Sequence, residues 1–268
     1  MIISHKYKYI FIQVNQTAST AVAQELCQFY GGEPILWQHA TYQHFLKTVS
    51  LTEKKYFLFA GVRNPLDVTV SLYFRRKLDL FGHLRDIRHR AATIHNYKLH
   101  YFIVRKQPTF ADFFKKFYRF SIYNEWKTLK FNRLNAVYRF ENLQSDFSEI
   151  LKKIGISQVR PVLIINQTPK DQPNFQDHYP VEIQGWAKII FGDYMRKWGY
   201  QFPADWAEPN LKQRFYYYIF LKPKYLLQLI YHRFFDQSLI YCSLYGNRNN
   251  LISQSYLIYK LWRAKMIK

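Results

Sequence analysis

Tyr9-Ile-Phe-Ile-Gln-Val14, followed by Asn15-Gln-Thr-Ala-Ser-Thr20, is the stretch on which the fold turns. A short run rich in β-branched and aromatic residues, ended by turn-type residues at Asn15-Gln-Thr17, predicts a buried strand. Ser19 or Thr20 is placed to cap a helix in which Val22, Leu26, Phe29 and Tyr30 recur at helical spacing, before Gly31-Gly32 stops it. Strand, short polar turn and helix start form a phosphate-binding geometry. The first-turn amides have no internal partners, and the helix dipole favours an anion.

Working outward, the arrangement repeats. Lys55-Tyr-Phe-Leu-Phe-Ala-Gly-Val62 predicts a second buried strand, Arg63-Asn-Pro-Leu66 its turn, and Asp67 onward a helix carrying Val68, Val70, Leu72 and Tyr73. Asn135-Ala-Val-Tyr-Arg-Phe140 predicts a third strand, leading past Glu141 into a helix over 143–154 with Leu143, Phe147, Ile150, Leu151 and Ile154 on one face. Alternating strands and helices imply an α/β fold with a parallel sheet covered on both sides. Residues 78–130 are helical and basic in pattern, and the stripe Phe110, Phe113, Phe114, Phe117 reads as core packing.

Composition bounds the function. The 268 residues carry 39 Lys+Arg against 18 Asp+Glu, a net charge of +21, which predicts an anionic partner. With 49% hydrophobic and 19% aromatic residues the chain has ample material for a core, which excludes disorder. Cys27 and Cys242 are too few for a disulfide framework or a paired-cysteine metal site, and they fit a reducing, cytoplasmic compartment. The charged start Met1-Ile-Ile-Ser-His-Lys-Tyr-Lys-Tyr9 does not read as a secretory leader. Phe215–Phe235, the most apolar stretch, is broken as a membrane span by Lys222, Pro223 and Lys224. Turn-forming residues cluster at Pro203-Ala-Asp-Trp-Ala-Glu-Pro209, which predicts a domain over 1–206 and a basic, aromatic helical extension over 207–268. Residues 210–268 hold ten Lys/Arg against Asp236 alone.

Three segments in order, Phe11-Ile-Gln-Val-Asn-Gln-Thr-Ala-Ser-Thr20, Phe59-Ala-Gly-Val-Arg-Asn-Pro-Leu-Asp-Val-Thr-Val-Ser-Leu-Tyr73 and Tyr138-Arg-Phe-Glu-Asn-Leu143, resemble the sulfotransferase family, in particular its bacterial and carbohydrate-acting branches. The middle segment is the most specific, and Phe191-Gly-Asp-Tyr-Met-Arg-Lys-Trp-Gly-Tyr200 looks like the family's closing helix. The resemblance implies a three-layer α/β sandwich with a central parallel sheet and a nucleotide-kinase-like phosphate-binding loop. It also implies the donor 3′-phosphoadenosine 5′-phosphosulfate, with no metal. Gln16, Thr17, Ala18, Ser19 and Thr20 would then wrap the 5′-phosphosulfate through backbone amides and hydroxyls, while Arg63 and Ser71 would take the 3′-phosphate. Lys170, in Asn166-Gln-Thr-Pro-Lys170, falls where the family has a loop over the donor. The G-x-x-x-x-G-K-[ST] signature of a nucleotide triphosphatase is absent from the sequence.

The resemblance also identifies His39 as the general base for the acceptor hydroxyl, with His44 as its competitor; histidine suits that task because its ordinary pKa is about 6.5. Gln16 stands where the family has a lysine, so Lys6, Lys8 or a cation from the basic 75–106 region would have to replace that charge, or transfer would be impaired. Glu141 is expected to pair with an arginine or cap its helix. The acceptor implied is a hydroxyl-bearing, polyanion-like carbohydrate. The alternative is a catalytically impaired relative that binds a polyanion. Basic residues interleaved with aromatics in 207–268 also suit an anionic membrane surface. No nucleic-acid motif supports a nucleic-acid partner.

Overall fold

The computed structural model of the chain describes residues 1–79, 82, 84, 86, 94–123, 134–163, 174–234, 262 and 266. In chain order the elements are β1 (Ile2–Ser4), β2 (Tyr9–Ile12), α1 (Ser19–Phe29), β3 (Glu33–Pro34), α2 (Tyr42–Thr48), β4 (Phe57–Val62), α3 (Pro65–Leu78), α4 (Ile94–Lys106), α5 (Phe110–Phe117), β5 (Ala136–Arg139), α6 (Leu143–Lys153), α7 (Val181–Trp198), α8 (Leu211–Tyr216) and α9 (Lys222–Phe234). They fall into two compact units, residues 1–65 with 124–167 and residues 66–123 with 168–268.

The first unit is α/β. Its sheet has five strands among the described residues, in the order β3-β1-β2-β4-β5. β2 runs parallel to β4, with Phe11 beside Phe59, and β4 parallel to β5, with Gly61 beside Tyr138. β1 is antiparallel to both β2 and β3, which corrects the expectation of a parallel sheet at that edge. The cause is connection length: only His5–Lys8 separate β1 from β2, whereas a parallel crossover needs about a dozen residues or more.

Alternation along the strands sends each sheet face into its own core. Tyr9, Phe11, Phe59 and Tyr138 pack with Val22 and Leu26 of α1 and with Phe147, Ile150 and Leu151 of α6. Ile10, Ile12, Leu58 and Ala60 face the other way, against Ala40 and against Tyr42 and Phe45 of α2. Both faces of the sheet are therefore covered, as near-continuous apolar strands require. Strand limits lie within one or two residues of those expected for β2, β4 and β5.

The second unit is helical among its described residues. Val70, Tyr73 and Phe74 of α3 pack with Leu99 and Ile103 of α4, Phe110, Phe113 and Phe114 of α5, and Ile183, Ile190 and Phe191 of α7. The phenylalanine stripe is thus core, apart from the half-buried Phe117. Tyr179 fixes the start of α3 by donating to the Leu66 carbonyl at 3.0 Å. Residues 207–234, which begin within the turn-rich 203–209 stretch, also belong to this unit. No described helix is long and apolar enough to cross a membrane.

Candidate functional site

β2 and β4 are parallel neighbours, so the turns that follow them leave the same edge of the first unit's sheet. After β2 the chain passes through Gln16 and Ala18 in the left-handed region, at φ 66° and 58°, and enters α1 at Ser19. Ala18 is the cap residue, and no side chain caps the helix. Ser19 and Thr20 therefore lie inside the first turn instead of capping it. A left-handed residue followed by a helical one turns successive backbone N–H groups toward one side, the concave arrangement that suits an anion.

The loop is held from inside. Thr17 is 2% exposed, and its hydroxyl donates to the Val14 carbonyl at 3.0 Å. Thr20 accepts from the Gln38 side-chain amide at 3.0 Å. Tyr138, fully buried on β5, donates its hydroxyl to the Thr17 carbonyl at 3.0 Å, and burial pushes that hydroxyl far above its ordinary range, so it stays a donor. Gly61 makes room for it: a Cβ at Gly61 would clash with the hydroxyl-bearing edge of the Tyr138 ring.

Arg63 leaves the end of β4 and turns toward this loop. Its Nη1 donates to the Gln16 carbonyl at 3.0 Å, and its guanidinium lies 4.0 Å from the centre of the Phe140 ring. Glu141 accepts the Asn64 amide at 2.8 Å, tying down the same turn. Pro65 at the first position of α3 suits the helix start there, since its fixed φ is helical and it has no N–H to leave unpaired. The segment Tyr138-Arg-Phe-Glu141 therefore serves both turns, with Tyr138 under the first and Phe140 and Glu141 under the second. Sequence alone marks Glu141 as structural. It gives no sign that Phe140 is the platform for Arg63, because an aromatic after a strand is ordinarily core.

His39 sits beside the loop, half-buried, with φ 65° and its Nδ1 2.8 Å from the Gln13 carbonyl. Only a protonated Nδ1 makes that bond, so in the neutral ring Nε2 is the unprotonated nitrogen. His44 has a different task. With Thr41 it forms the capping box of α2, its Nδ1 accepting the Thr41 amide at 3.0 Å, and its ring packs 4.6 Å from Trp37.

Gln16–Thr20, Arg63 and His39 thus gather in the first unit. Ser71 is 1% exposed on α3, within the second unit. Lys170 lies outside the described residues. Lys6 and Lys8 occupy the turn that precedes β2, at the opposite end of that strand from Gln16, which removes them as substitutes for a loop lysine. Among the described residues no three His, Cys, Asp or Glu side chains gather as a metal site would require. Compared with protein-family models, with curated proteins and with solved structures, the chain has no match.

Proposed function

We propose that the protein is a sulfotransferase that uses 3′-phosphoadenosine 5′-phosphosulfate, with a nucleotide-kinase-like loop at 16–20 in an α/β sandwich. The observation that carries this reading is the contact of Arg63 with the Gln16 carbonyl. A phosphosulfate group seated on the loop amides needs a cation beside it to offset charge on the bridging oxygen as the sulfuryl group departs. Gln16 has no charge to give, and Arg63, which the resemblance assigns to the 3′-phosphate, is proposed instead beside the bridging oxygen, because its guanidinium meets the backbone of that same residue.

In the proposed reaction the acceptor hydroxyl gives its proton to His39 Nε2. Its oxygen forms a bond to sulfur as the bond from sulfur to the bridging oxygen breaks. Adenosine 3′,5′-bisphosphate leaves with the electron pair. The protein's work is positioning and charge stabilisation, as in phosphoryl transfer. The acceptor proposed is a hydroxyl-bearing carbohydrate of anionic character, matching a chain of net charge +21.

Gln16 itself favours a second reading, in which the loop binds the donor without transferring sulfate and the basic surface holds a polyanion. Titration calorimetry with adenosine 3′,5′-bisphosphate, then transfer from radiolabelled donor to a panel of sugars and glycans, separates the two. Binding and transfer together are expected for the enzyme. Binding without transfer, with turnover appearing in Gln16→Lys, selects the second reading. Absence of bisphosphate binding sinks both.

A further inference from the structure

We propose that α8 and the first turns of α9 dock the protein on an anionic lipid surface, by an outward face that is both apolar and basic. This goes beyond the proposed reaction and does not depend on it.

The inner face of this helical segment is accounted for. Gln213 and Leu221 are buried. Tyr216 packs edge-on against Trp186 at 5.6 Å and Phe120 at 6.4 Å. Gly185 of α7 permits the approach, since a Cβ there would press on the Gln213 side chain and on Pro209. Tyr217–Leu221 forms a π-helical turn between α8 and α9.

The outer face is different. Leu211 is 85% exposed, Phe215 64%, Ile219 52%, Phe220 54% and Leu227 67%. So many large apolar side chains standing in water within one short segment mark an interaction surface, not scattered exposure. What they meet is indicated by the charges among them. Lys212, Arg214, Lys222 and Lys224 are exposed, and residues 211–234 contain no Asp or Glu. Arg214 Nε donates to the Pro209 carbonyl at 2.9 Å and Lys224 to the Phe120 carbonyl at 3.0 Å, contacts that hold the cations in place without neutralising them. Glu208, which lies in the field of Arg214, is itself bonded by Lys188 at 2.7 Å.

A protein groove would complement the leucines and phenylalanines but would have to supply a carboxylate for each cation. An anionic bilayer supplies both at once, with acyl chains below and headgroup charge above, and lysine stems lie along such a boundary with their heads in the headgroups. Tyr218, exposed on the outward side, is a residue of the kind that concentrates at that boundary. Lys222 already lies over the Tyr218 ring at 5.6 Å.

The test is co-sedimentation of the full chain with phosphatidylcholine vesicles and with mixed phosphatidylcholine–phosphatidylglycerol vesicles. Binding to the mixed vesicles, weakened by salt, is expected. Phe215→Glu with Ile219→Glu should lower that partition about thirtyfold or more, with the melting temperature unchanged because both side chains are exposed. Lys212→Gln with Lys222→Gln should lower it about 25-fold at low salt, at roughly fivefold per cation. The lysine pair adds no charge to an apolar site, so it decides the matter even if the glutamate pair unfolds. The proposal is overturned if the parent ignores the mixed vesicles, if the lysine pair partitions like the parent, or if sedimentation velocity shows a dimer that the glutamate pair splits without any vesicle binding.

Discussion

Tyr138→Phe removes one hydroxyl and tests how the candidate loop is held. In the folded protein that hydroxyl donates to the Thr17 carbonyl at 3.0 Å, and Thr17 is 2% exposed. Water therefore has little access to take its place. A buried carbonyl left without its donor costs about 1–3 kcal/mol, and the ring, which packs with Phe11 and Phe147, is retained in the variant. The loss should concentrate where the bond acts. Native-state amide hydrogen exchange, read separately for β2 with α1 and for α7, resolves this because exchange reports local stability element by element. Protection in β2 and α1 should fall roughly 5- to 150-fold, the equilibrium equivalent of the energy above. Protection in α7, in the other unit, should hold. Unchanged protection in β2 and α1, within about twofold, would refute the claim that Tyr138 secures the loop.

Gly61→Ala pushes a methyl into the space of the same ring and should cost about 1–3 kcal/mol by overpacking; combined with Tyr138→Phe it should cost less than the two changes summed, by about 0.5 kcal/mol or more in a double-mutant cycle. Arg63→Ala should weaken adenosine 3′,5′-bisphosphate binding about 10- to 100-fold in calorimetry, and Arg63→Lys should recover only part of it, since an ammonium neither forks nor stacks on Phe140 as the guanidinium does. His39→Asn should lower the rate of sulfate transfer about 100-fold or more at unchanged bisphosphate affinity. His44→Ala should instead leave transfer in place and cost about 1 kcal/mol of stability through the lost cap of α2, measured by denaturant unfolding.

The strands that carry the candidate site are legible in the sequence for a simple reason. β2, β4 and β5 are buried continuous runs, so hydrophobicity alone marks them. β1 and β3 are not. Ile2–Ser4 is three residues long and abuts a charged turn, while Glu33–Pro34 is two residues, one of them a proline that composition excludes from all but an edge. Their pairing is set by the short return at His5–Lys8, a tertiary matter. In the loop, Ser19 and Thr20 have the chemistry of caps, yet the chain caps with Ala18 in a left-handed conformation that no alanine advertises. The two histidines were separable in principle: Thr41 stands three residues before His44, the spacing of a capping box, although histidine is an unusual partner in one. The division into two units, each assembled from two separated segments, leaves no local mark in composition.

The π-helical turn at Tyr217–Leu221 acts as a correction of rotational phase. In an α-helix of 3.6 residues per turn, positions four apart drift by about 40°, so an inner face spaced Gln213, Tyr217, Leu221 would wind away from α7 within two turns. One widened turn absorbs that drift, which lets Leu221 return to the buried side and sets Leu226 and Leu227 outward along with Phe215. Deleting one of the tyrosines Tyr216-Tyr217-Tyr218 would let the turn close to an ordinary α-helix with the faces on either side nearly in phase, because a π-helical turn holds one residue more than an α-helical one. The apolar and basic residues on either side of the turn form one surface only because the helix there is wound loose.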